Sequence, residues 1–360
     1  MRPVAQASIV VFSFASTALA VWLVRRHAVA RHFLDIPNDR SSHSRPTPRG
    51  GGLGIVMVVA GMWAAATIGW PPARQFGSVA CLAALLAVAG VGWIDDRRGL
   101  SVRVRLIVHL LGGTAVALLA VGGAPRLAFS SWTVLVAIFW LLWVTSAINV
   151  VNFMDGIDGL IASQAAIALS NVASLAPDSG VARPFSLMVA AACLGFLVWN
   201  WPPARVFLGD VGSGSVGFLL AVAGALLLKE TNVDFARTFL PLFPLFLDSA
   251  WTMLRRMRKG ERLTVAHRSH LYQRLANGAW GHGRVALAFA AAALPGAGIA
   301  AVPSARLRWM FALAYAIGVL LVGRRLDRVV PFEWGSRESE GLDADFSAIQ
   351  RGTSQSESAR

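Results

Sequence analysis

Long apolar runs, separated by short segments rich in charged and turn residues, follow one another along most of the chain. A helix needs about 20 mostly apolar residues to cross a bilayer, and the runs repeatedly approach that length. The pattern predicts an all-α polytopic membrane protein. We place eleven transmembrane helices near residues 7–24, 51–70, 75–94, 104–122, 131–151, 157–176, 184–200, 211–228, 236–254, 284–301 and 309–323.

The first apolar run ends in Ala18-Leu19-Ala20, which resembles a signal-peptide cleavage site. A signal peptide carries its positive charge in front of the apolar run, whereas here Arg25 and Arg26 follow it. We therefore interpret this segment as an uncleaved membrane anchor.

Lys and Arg concentrate in alternate loops, chiefly residues 25–49, 97–105, 255–284 and those from 324 onward. By the positive-inside rule this richer side is cytoplasmic, so the N-terminus is expected outside and the C-terminus in the cytoplasm. An odd number of spans agrees with this orientation. Residues 1–325 are predicted to form the membrane domain, and the polar, serine-rich residues 326–360 a disordered cytoplasmic tail.

Composition agrees with a membrane protein, since 56% of residues are hydrophobic and only 14% are charged. The formal net charge is +14, but the basic residues lie in short loops beside spans, where topology and lipid headgroups account for them. No nucleic-acid partner is expected. Cys81 and Cys193 fall inside predicted spans without metal-ligand spacing and are interpreted as buried thiols.

The most polar interruption is Asn149-Val150-Val151-Asn152-Phe153-Met154-Asp155-Gly156-Ile157-Asp158-Gly159, between two apolar runs. Charged groups at membrane depth are costly, so such a cluster indicates function. Asn152, Asp155 and Asp158 recur every third residue, and a helix would place them within about 120° of one face. Alternatively, the two Asp-Gly pairs are turn and capping dipeptides that begin the sixth span.

Two neighbouring acids, Asp95 and Asp96, end the third span. Acids at a helix C-terminus oppose the macrodipole, so helix stability does not explain them. A pair of carboxylates at a polar cavity suits a divalent cation or shared proton work. The alternative is an ion pair with Arg97 or Arg98.

Asp210 stands in Gly209-Asp210-Val211-Gly212-Ser213-Gly214, where the eighth span begins. Glycines at a helix N-terminus leave backbone amides open to a phosphate, and a carboxylate beside them would hold its metal. The alternative is that Asp210 is an N-cap.

Three further features occur in basic or proline-rich segments. Arg45 and Arg49 precede Gly50-Gly51-Gly52, and cations followed by successive amides suit phosphate, although a topology-setting linker or close helix packing would also explain them. The His267-Arg268-Ser269-His270 loop favours anion recognition over zinc, because no cysteines accompany the histidines. Asp248 follows Pro241 and Pro244 deep in the ninth span and is expected to face the bundle, unless a basic residue pairs with it.

These motifs all fall on the predicted cytoplasmic side. In this order and at these span ends, the Asp95-Asp96 pair, the Asn149–Gly159 run, the Gly209–Ser213 loop and the His267–His270 loop resemble the polyprenyl-phosphate N-acetylhexosamine-1-phosphate transferases. The resemblance covers residues 10–325. It implies transfer of a sugar-1-phosphate from a UDP-N-acetylhexosamine to undecaprenyl phosphate, with release of UMP and with Mg²⁺, or Mn²⁺ in its place.

The resemblance also implies roles for individual residues. Asp210 would ligate the metal, and Asp95 and Asp96 would lie beside the lipid phosphate as base or as metal-site support. The segment with Asn149, Asn152, Asp155 and Asp158 would line the nucleotide and metal site, and His267, Arg268 and His270 would close on the donor. Asp248 matches a family acid, while Arg45, Arg49, Gly212 and Ser213 are expected to bind substrate.

The peptidoglycan branch of that family carries a run of histidines in its last loop, but here Arg268 and Ser269 interrupt it and Tyr272-Gln273 follow. The sequence is thus more similar to the enzymes that initiate O-antigen and related surface glycans, so a muramoyl-pentapeptide donor is not expected. The implied setting is the bacterial inner membrane, with the active site facing the cytoplasm, membrane lipid as surroundings and a homodimer as the assembly.

Two other functions would also use membrane carboxylates. A secondary transporter would explain the proline-broken ninth span, but its acids usually lie near mid-bilayer, where only Asp248 is placed. A CDP-alcohol phosphatidyltransferase begins its motif with Asp-Gly, as in Asp155-Gly156, yet the Ala-Arg and later spaced aspartates of that motif are missing here.

Overall fold

The computed structural model describes residues 3–37, 45–74, 76–121, 131–231, 233–262 and 267–331. Its long helices are α1 (Pro3–Ala30), α2 (Gly52–Gly69), α3 (Phe76–Arg98), α4 (Val102–Val121), α5 (Ser131–Phe153), α6 (Leu160–Leu175), α7 (Ala182–Asn200) and α8 (Asp210–Glu230). They are followed by α9 (Ala236–Phe239), α10 (Phe243–Arg258), α11 (Leu271–Leu275), α12 (Gly281–Ala300) and α13 (Ala305–Val329). Strands β1 (Leu34–Asp35) and β2 (Thr47–Pro48) form a short antiparallel pair, with Leu34 opposite Pro48.

Nine helices in the described part of the chain are long and apolar enough to cross a membrane, which confirms the all-α polytopic fold. Two further predicted spans have a different form. The span at 157–176 corresponds to α6, which has 16 residues. The span at 236–254 is broken into α9, a 3₁₀ turn at Leu240–Leu242 and α10, because Pro241 and Pro244 lack the N–H that a continuous helix needs. The count of eleven and the orientation stay predictions.

Helix α13 continues to Val329, past the domain boundary placed at residue 325. The rest of the predicted tail, residues 332–360, lies outside the described residues. A helix of this length at the edge of the bundle keeps its apolar face towards lipid, and only 11% of its most apolar stretch is buried.

Helix α8 is the centre of the bundle. Every residue from Val211 to Leu227 is buried, which suits a helix that is apolar on all sides. Its neighbours approach closely through glycine: a Cβ on Gly52 of α2 would lie 2.1 Å from Cα of Gly212, and one on Gly92 of α3 would lie 2.4 Å from the carbonyl oxygen of Asp210. The N-terminus of α8 is thereby enclosed by α2 and α3.

Backbone hydrogen bonds tie the loop before α2 to the loop before α8. The amides of Gly51 and Gly52 donate to the carbonyls of Phe207 (2.8 Å) and Leu208 (2.9 Å), and the amide of Phe207 donates to the carbonyl of Pro48 (2.8 Å). The ends of α3 and α5 lie at the same end of the bundle. Most of the predicted functional residues therefore gather there.

Candidate active site

A polar cavity of about 210 Å³ opens at this end of the bundle. It is lined by Asp35, Arg49, Asn152, Asp155, Gly156, Ile157, Asp158, Asn200, Phe207, Leu208, Gly209 and Asp210. The set unites the loop before α2, the turn between α5 and α6, and the start of α8. Five of the predicted site residues, Arg49, Asn152, Asp155, Asp158 and Asp210, thus face one space.

Asp210 is the first residue of α8 and is not its N-cap. The cap position belongs to Gly209, whose φ of 73° suits glycine, and no side chain of the cap residue bonds to the helix. The carboxylate of Asp210 instead lines the cavity. The capping alternative for Asp210 is therefore wrong, and its carboxylate faces the space that a ligand would occupy.

Asp96 of α3 does the capping from a different helix. One carboxylate oxygen accepts the amide of Asp210 at 3.0 Å and the other accepts the amide of Val211 at 3.2 Å. The side chain of Asp96 is fully buried, and Nε of Arg49 lies 3.2 Å from it. A Cβ on Gly209 would come within 2.7 Å of this carboxylate, so only glycine leaves it room.

The pKa of Arg49 reflects this position. Burial is the largest single influence and would lower it, but the carboxylates of Asp96, Asp210, Asp35 and Asp155 together raise the pKa above its usual value. Arg49 therefore keeps its charge at the wall of the cavity, as expected for a cation that meets an anionic ligand.

Asp95 bonds to α4, and its side chain also lies within hydrogen-bond reach of the Asp210 carboxylate. Its carboxylate lies 2.7 Å from a guanidinium nitrogen of Arg105 and accepts the amide of Leu100. Arg97 stacks instead on the ring of Trp93, with 4.0 Å between its guanidinium carbon and the ring centroid. The alternative of an ion pair with Arg97 or Arg98 is therefore wrong, because Asp96 pairs with Arg49 and Asp95 with Arg105.

The turn between α5 and α6 carries two of the predicted acids. Helix α5 ends at Phe153 and α6 begins at Leu160, so Asn152, Asp155 and Asp158 do not share one helical face as the spacing suggested. They still converge, because the chain turns around the cavity. The alternative that the two Asp-Gly pairs are turn and capping dipeptides is correct for their position, because both lie in the turn before α6 and Gly159, with a φ of 77°, is its N-cap. No side chain of the cap residue bonds to the helix.

Asp155 lies at the cavity wall with its pKa raised well above the usual value for an aspartate. Burial is the largest cause, and the negative charge of Asp210 adds to it, while Arg49 acts in the opposite direction. Two carboxylates that repel each other across a small polar cavity are suited to share a cation.

Asp158 stabilises the turn between α5 and α6 through contacts with two distant segments. It accepts the amide of Ala204 at 3.0 Å and lies 3.2 Å from Nδ1 of His282, at the start of α12. Beside it, the carboxamide oxygen of Asn200 accepts the amide of Gly159 at 2.9 Å. These bonds hold the far side of the cavity to α7 and α12.

The predicted His267–His270 loop leads into α11, which Asp248 caps from α10. The two carboxylate oxygens of Asp248 accept the amides of Leu271 (2.8 Å) and Tyr272 (3.0 Å), and Nδ1 of His270 lies 3.8 Å from one of them. Asp248 therefore faces the bundle, as expected. Its partners are these two amides, the hydroxyl of Thr252 at 3.2 Å and one histidine.

Tyr272 joins α11 to the cavity. Its hydroxyl donates to the carbonyl of Phe153 at 2.9 Å. A Cβ on Gly156 would lie 2.3 Å from the hydroxyl oxygen of Tyr272. The phenol is fully enclosed, and this burial raises its pKa well above the usual value.

His267 and Arg268 do not line the cavity themselves. Burial, together with the nearby His270 and Arg256, lowers the pKa of His267 to about 3.

The remaining predicted residues lie outside the cavity wall. Asn149 bonds to the carbonyl of Thr145 and to His109, and Arg45 is exposed. Gly212 and Ser213 are buried in the contact with α2, and their amides donate to the carbonyl of Gly209. The amides of Gly51 and Gly52 before α2, and those of Asp210 and Val211 at the start of α8, are thus already bonded within the protein.

Four residues of the site went unrecognised in the sequence: Asp35, Asn200, Phe207 and His282. Asp35 sits on β1 in a loop that drew attention only for its arginines, and Asn200 ends an apolar helix. His282 stands alone between two glycines, so no spacing marked it. Only the fold brings these residues to the acids.

The cavity fits a magnesium ion in part. Among the described residues, no three His, Cys, Asp or Glu side chains lie close enough to hold a metal by themselves. Mg²⁺ is usually held by one or two carboxylates together with substrate phosphates and water. Asp155 and Asp210 are such a pair, because their carboxylates line the same cavity and repel each other.

Comparison with known proteins gives concordant matches. A sequence model described as "Glycosyl transferase family 4" matches residues 78–228. A probable undecaprenyl-phosphate N-acetylglucosaminyl 1-phosphate transferase of Bacillus subtilis is 30% identical over 269 residues, covering 70% of this chain and 72% of that protein. A decaprenyl-phosphate N-acetylglucosaminephosphotransferase of Mycobacterium leprae is 29% identical, covering 76% of each chain. A phospho-N-acetylmuramoyl-pentapeptide-transferase of Synechococcus is 33% identical over 51% of this chain and 56% of that protein.

Proposed function

The chain belongs to glycosyl transferase family 4, the polyprenyl-phosphate hexosamine-1-phosphate transferases, and from this we propose that it moves N-acetylhexosamine-1-phosphate from a UDP-sugar to undecaprenyl phosphate. UMP is the second product. Two relatives are named for polyprenyl phosphate acceptors and N-acetylglucosamine donors, which supports this choice. Family membership favours the transferase over the transporter and the CDP-alcohol phosphatidyltransferase considered above.

One observation carries the proposal: Asp155, Asp210 and Arg49 face a single polar cavity in an otherwise apolar helical bundle. Carboxylates that can hold a divalent cation and a cation that can meet phosphate are the groups that a diphosphate donor requires. A lipid acceptor would reach the same cavity from the surrounding bilayer.

The reaction is a phosphoryl transfer. An oxygen of the lipid phosphate forms a bond to the β-phosphorus of the donor, and the bond from that phosphorus to the bridging oxygen breaks, so that its electron pair leaves with UMP. Both reactants are anions, hence positioning and neutralisation of charge supply most of the rate enhancement. A phosphate monoester is largely ionised at neutral pH, since its second pKa is about 6, and a general base is therefore dispensable.

The protein's own groups divide this work. Asp210 and Asp155 would hold Mg²⁺, which when bound neutralises the donor diphosphate. Arg49, which pairs with Asp96 at the cavity, would contact phosphate. Asp96 acts as a positioning residue, because its carboxylate is already engaged by the first amides of α8 and by Arg49.

Within the family, the enzyme belongs in this proposal to the branch that initiates O-antigen and related surface glycans. Tyr272 and Gln273 lie in α11, directly after the last loop, and contact the turn at Gly156. The peptidoglycan branch is expected to have a run of histidines in that loop. We assign the enzyme to the bacterial inner membrane, with the cavity towards the cytoplasm, where UDP-sugars are made and where the basic loops are predicted to lie.

The test is UMP release by detergent-purified protein supplied with undecaprenyl phosphate and one UDP-N-acetylhexosamine at a time, with Mg²⁺ or with EDTA. The expected result is release that requires both lipid and metal, with one donor preferred. Folded protein that releases no UMP with any donor would overturn the proposal, and release without lipid would indicate hydrolysis instead of transfer.

A further inference from the structure

A second cavity, also of about 210 Å³, lies between α10, α12 and α13. It is almost wholly apolar and shares no lining residue with the polar cavity. Helix α11 separates the two: Leu271 and Leu275 line the apolar cavity, whereas Tyr272 contacts the turn of the active site. The apolar cavity is therefore not the place where the acceptor phosphate reacts.

Small residues keep this space open. Ala288 and Ala292 of α12 and Gly323 of α13 face it, and a Cβ built on Gly323 would meet no atom within 4 Å. An apolar gap between membrane-crossing helices leaves its lining without contact atoms and forfeits dispersion energy. A hydrocarbon chain from the bilayer would restore those contacts.

Cationic side chains gather at one end of the cavity. The guanidinium carbons of Arg255 and Arg324 lie 5.1 Å and 6.0 Å from the ring centroid of Trp251, which lines the cavity. Arg255 and Arg274 both pair with Asp327, each at 2.6 Å. Asp327 is thus already shared by two guanidinium groups, while Arg324 lines the cavity beside Trp251. Asp248 also lines the cavity, but its carboxylate accepts the amides of Leu271 and Tyr272, so the arginines are the groups suited to a phosphate.

We propose that the cavity binds an anionic phospholipid of the surrounding membrane. One acyl chain lies between α10, α12 and α13, and the headgroup phosphate contacts Arg324 and Arg255. Trp251 and Trp280 border the site, as aromatic residues do at a membrane interface. This inference concerns lipid binding and stands independently of the transferase reaction.

The site is linked to the loop that precedes α11. Asp327, which pairs with Arg255 at the mouth of the cavity, also pairs with Arg274, whose Nε donates to the carbonyl of Ser269 at 3.1 Å. A lipid phosphate at Arg255 and Arg324 would compete for Arg255 and so alter how tightly Asp327 holds Arg274. Bound lipid is therefore expected to change the mobility of residues 267–270.

Native mass spectrometry of the full-length protein, delipidated in detergent, tests the proposal with phosphatidylglycerol and phosphatidylcholine of identical chains. The wild type is expected to bind phosphatidylglycerol at least tenfold more tightly. Gly323→Leu fills the cavity and is expected to abolish that binding, while Arg324→Gln should remove most of the preference for the anionic headgroup.

Helix α13 offers a matched control for each variant. Gly318→Leu places the same side chain at a glycine that also has open space but does not line the cavity. Arg306→Gln removes an exposed arginine at the other end of the helix. Both should bind as the wild type does.

Three outcomes would overturn the proposal. They are equal binding of the two phospholipids by the wild type, unchanged phosphatidylglycerol binding in Gly323→Leu, or displacement of phosphatidylglycerol by an equimolar amount of undecaprenyl phosphate. The last would make the cavity a site for the acceptor. None of these readouts depends on UMP release, so failure here and failure of the proposed function are distinguishable.

Discussion

The carboxylate of Asp96 accepts the backbone amide of Asp210 at 3.0 Å, so one acid of the site caps the helix that begins with another. Helix caps are normally supplied by the residue that precedes the helix. Here glycine occupies that position, and the cap comes from α3. As a result, Asp210 can direct its own charge into the cavity.

Exchanging each of these two acids for asparagine should separate their roles. Asp210→Asn is expected to lower UMP release by at least a thousandfold without loss of stability, because it removes a cavity charge that Asp155 opposes. Asp96→Asn should cost about 1.5–3 kcal/mol of stability, since it weakens charge-assisted bonds to two amides and to Arg49. Thermal melting in detergent and UMP release measure the two effects. If Asp210→Asn turns over at nearly the wild-type rate, Asp210 is not a ligand of the metal.

The chain has two tyrosines, and they make a matched pair. Tyr272→Phe removes the bond to the carbonyl of Phe153, beside the active-site turn, whereas Tyr315→Phe removes a bond of 2.8 Å to the carbonyl of Ala292. Each change should cost about 1 kcal/mol of stability. Only Tyr272→Phe is expected to reduce kcat, by about tenfold, because the turn carries Asp155. Equal kcat in the two variants would mean that Tyr272 has no positioning role.

Phe207 is the aromatic residue among those that line the polar cavity. Stacking of a base on an aromatic ring contributes about 1–3 kcal/mol, so Phe207→Leu should raise KM for the UDP-sugar by about 5-fold to 160-fold with little change in kcat. Phe153→Leu, an exposed phenylalanine nearby that does not line the cavity, is the control. Unchanged donor KM would exclude stacking on Phe207.

Arg268 tests whether the loop before α11 closes on the donor. It does not line the cavity, so its predicted contact with donor phosphate requires the loop to move. Arg268→Ala should then raise donor KM about tenfold and leave KM for the lipid unchanged. The exposed Arg262 provides the comparison through Arg262→Ala. A donor KM equal to that of the wild type would assign Arg268 a purely structural role.

The raised pKa of Asp155 predicts a specific dependence of stability on pH. Between the ordinary aspartate pKa of about 3.9 and the higher native value, the native state binds a proton that the unfolded chain has lost. The contribution of Asp155 to the free energy of unfolding therefore falls as pH rises through that window. We compare the free energy of unfolding of Asp155→Asn with that of the wild type in EDTA. The difference should favour the variant more at pH 7.5 than at pH 5. If the difference in melting temperature between the variant and the wild type is the same at both pH values, the prediction is wrong.

Hydrophobic patterning was sufficient for the membrane fold. Each apolar run has only one way to satisfy its backbone in lipid, namely a helix, and the predicted spans match the described helices within a few residues at most ends. The proline-rich ninth span is the exception. There the missing N–H groups break the helix at Leu240–Leu242, and neighbouring side chains decide where it resumes.

For the site, the sequence by itself determined which residue types are out of place in a membrane protein: Asp155, Asp158, Asp210 and the pair at 95 and 96 are too costly there without a function. It could not determine what each one does, because a carboxylate that caps a helix and one that faces a ligand have the same local sequence. Tertiary structure decided that question, since the amides of α8 are bonded to Asp96 from α3, and those of α11 to Asp248 from α10. Asn200, Phe207 and His282 were invisible for the same reason: their partners are distant in the chain, and only packing brings them together.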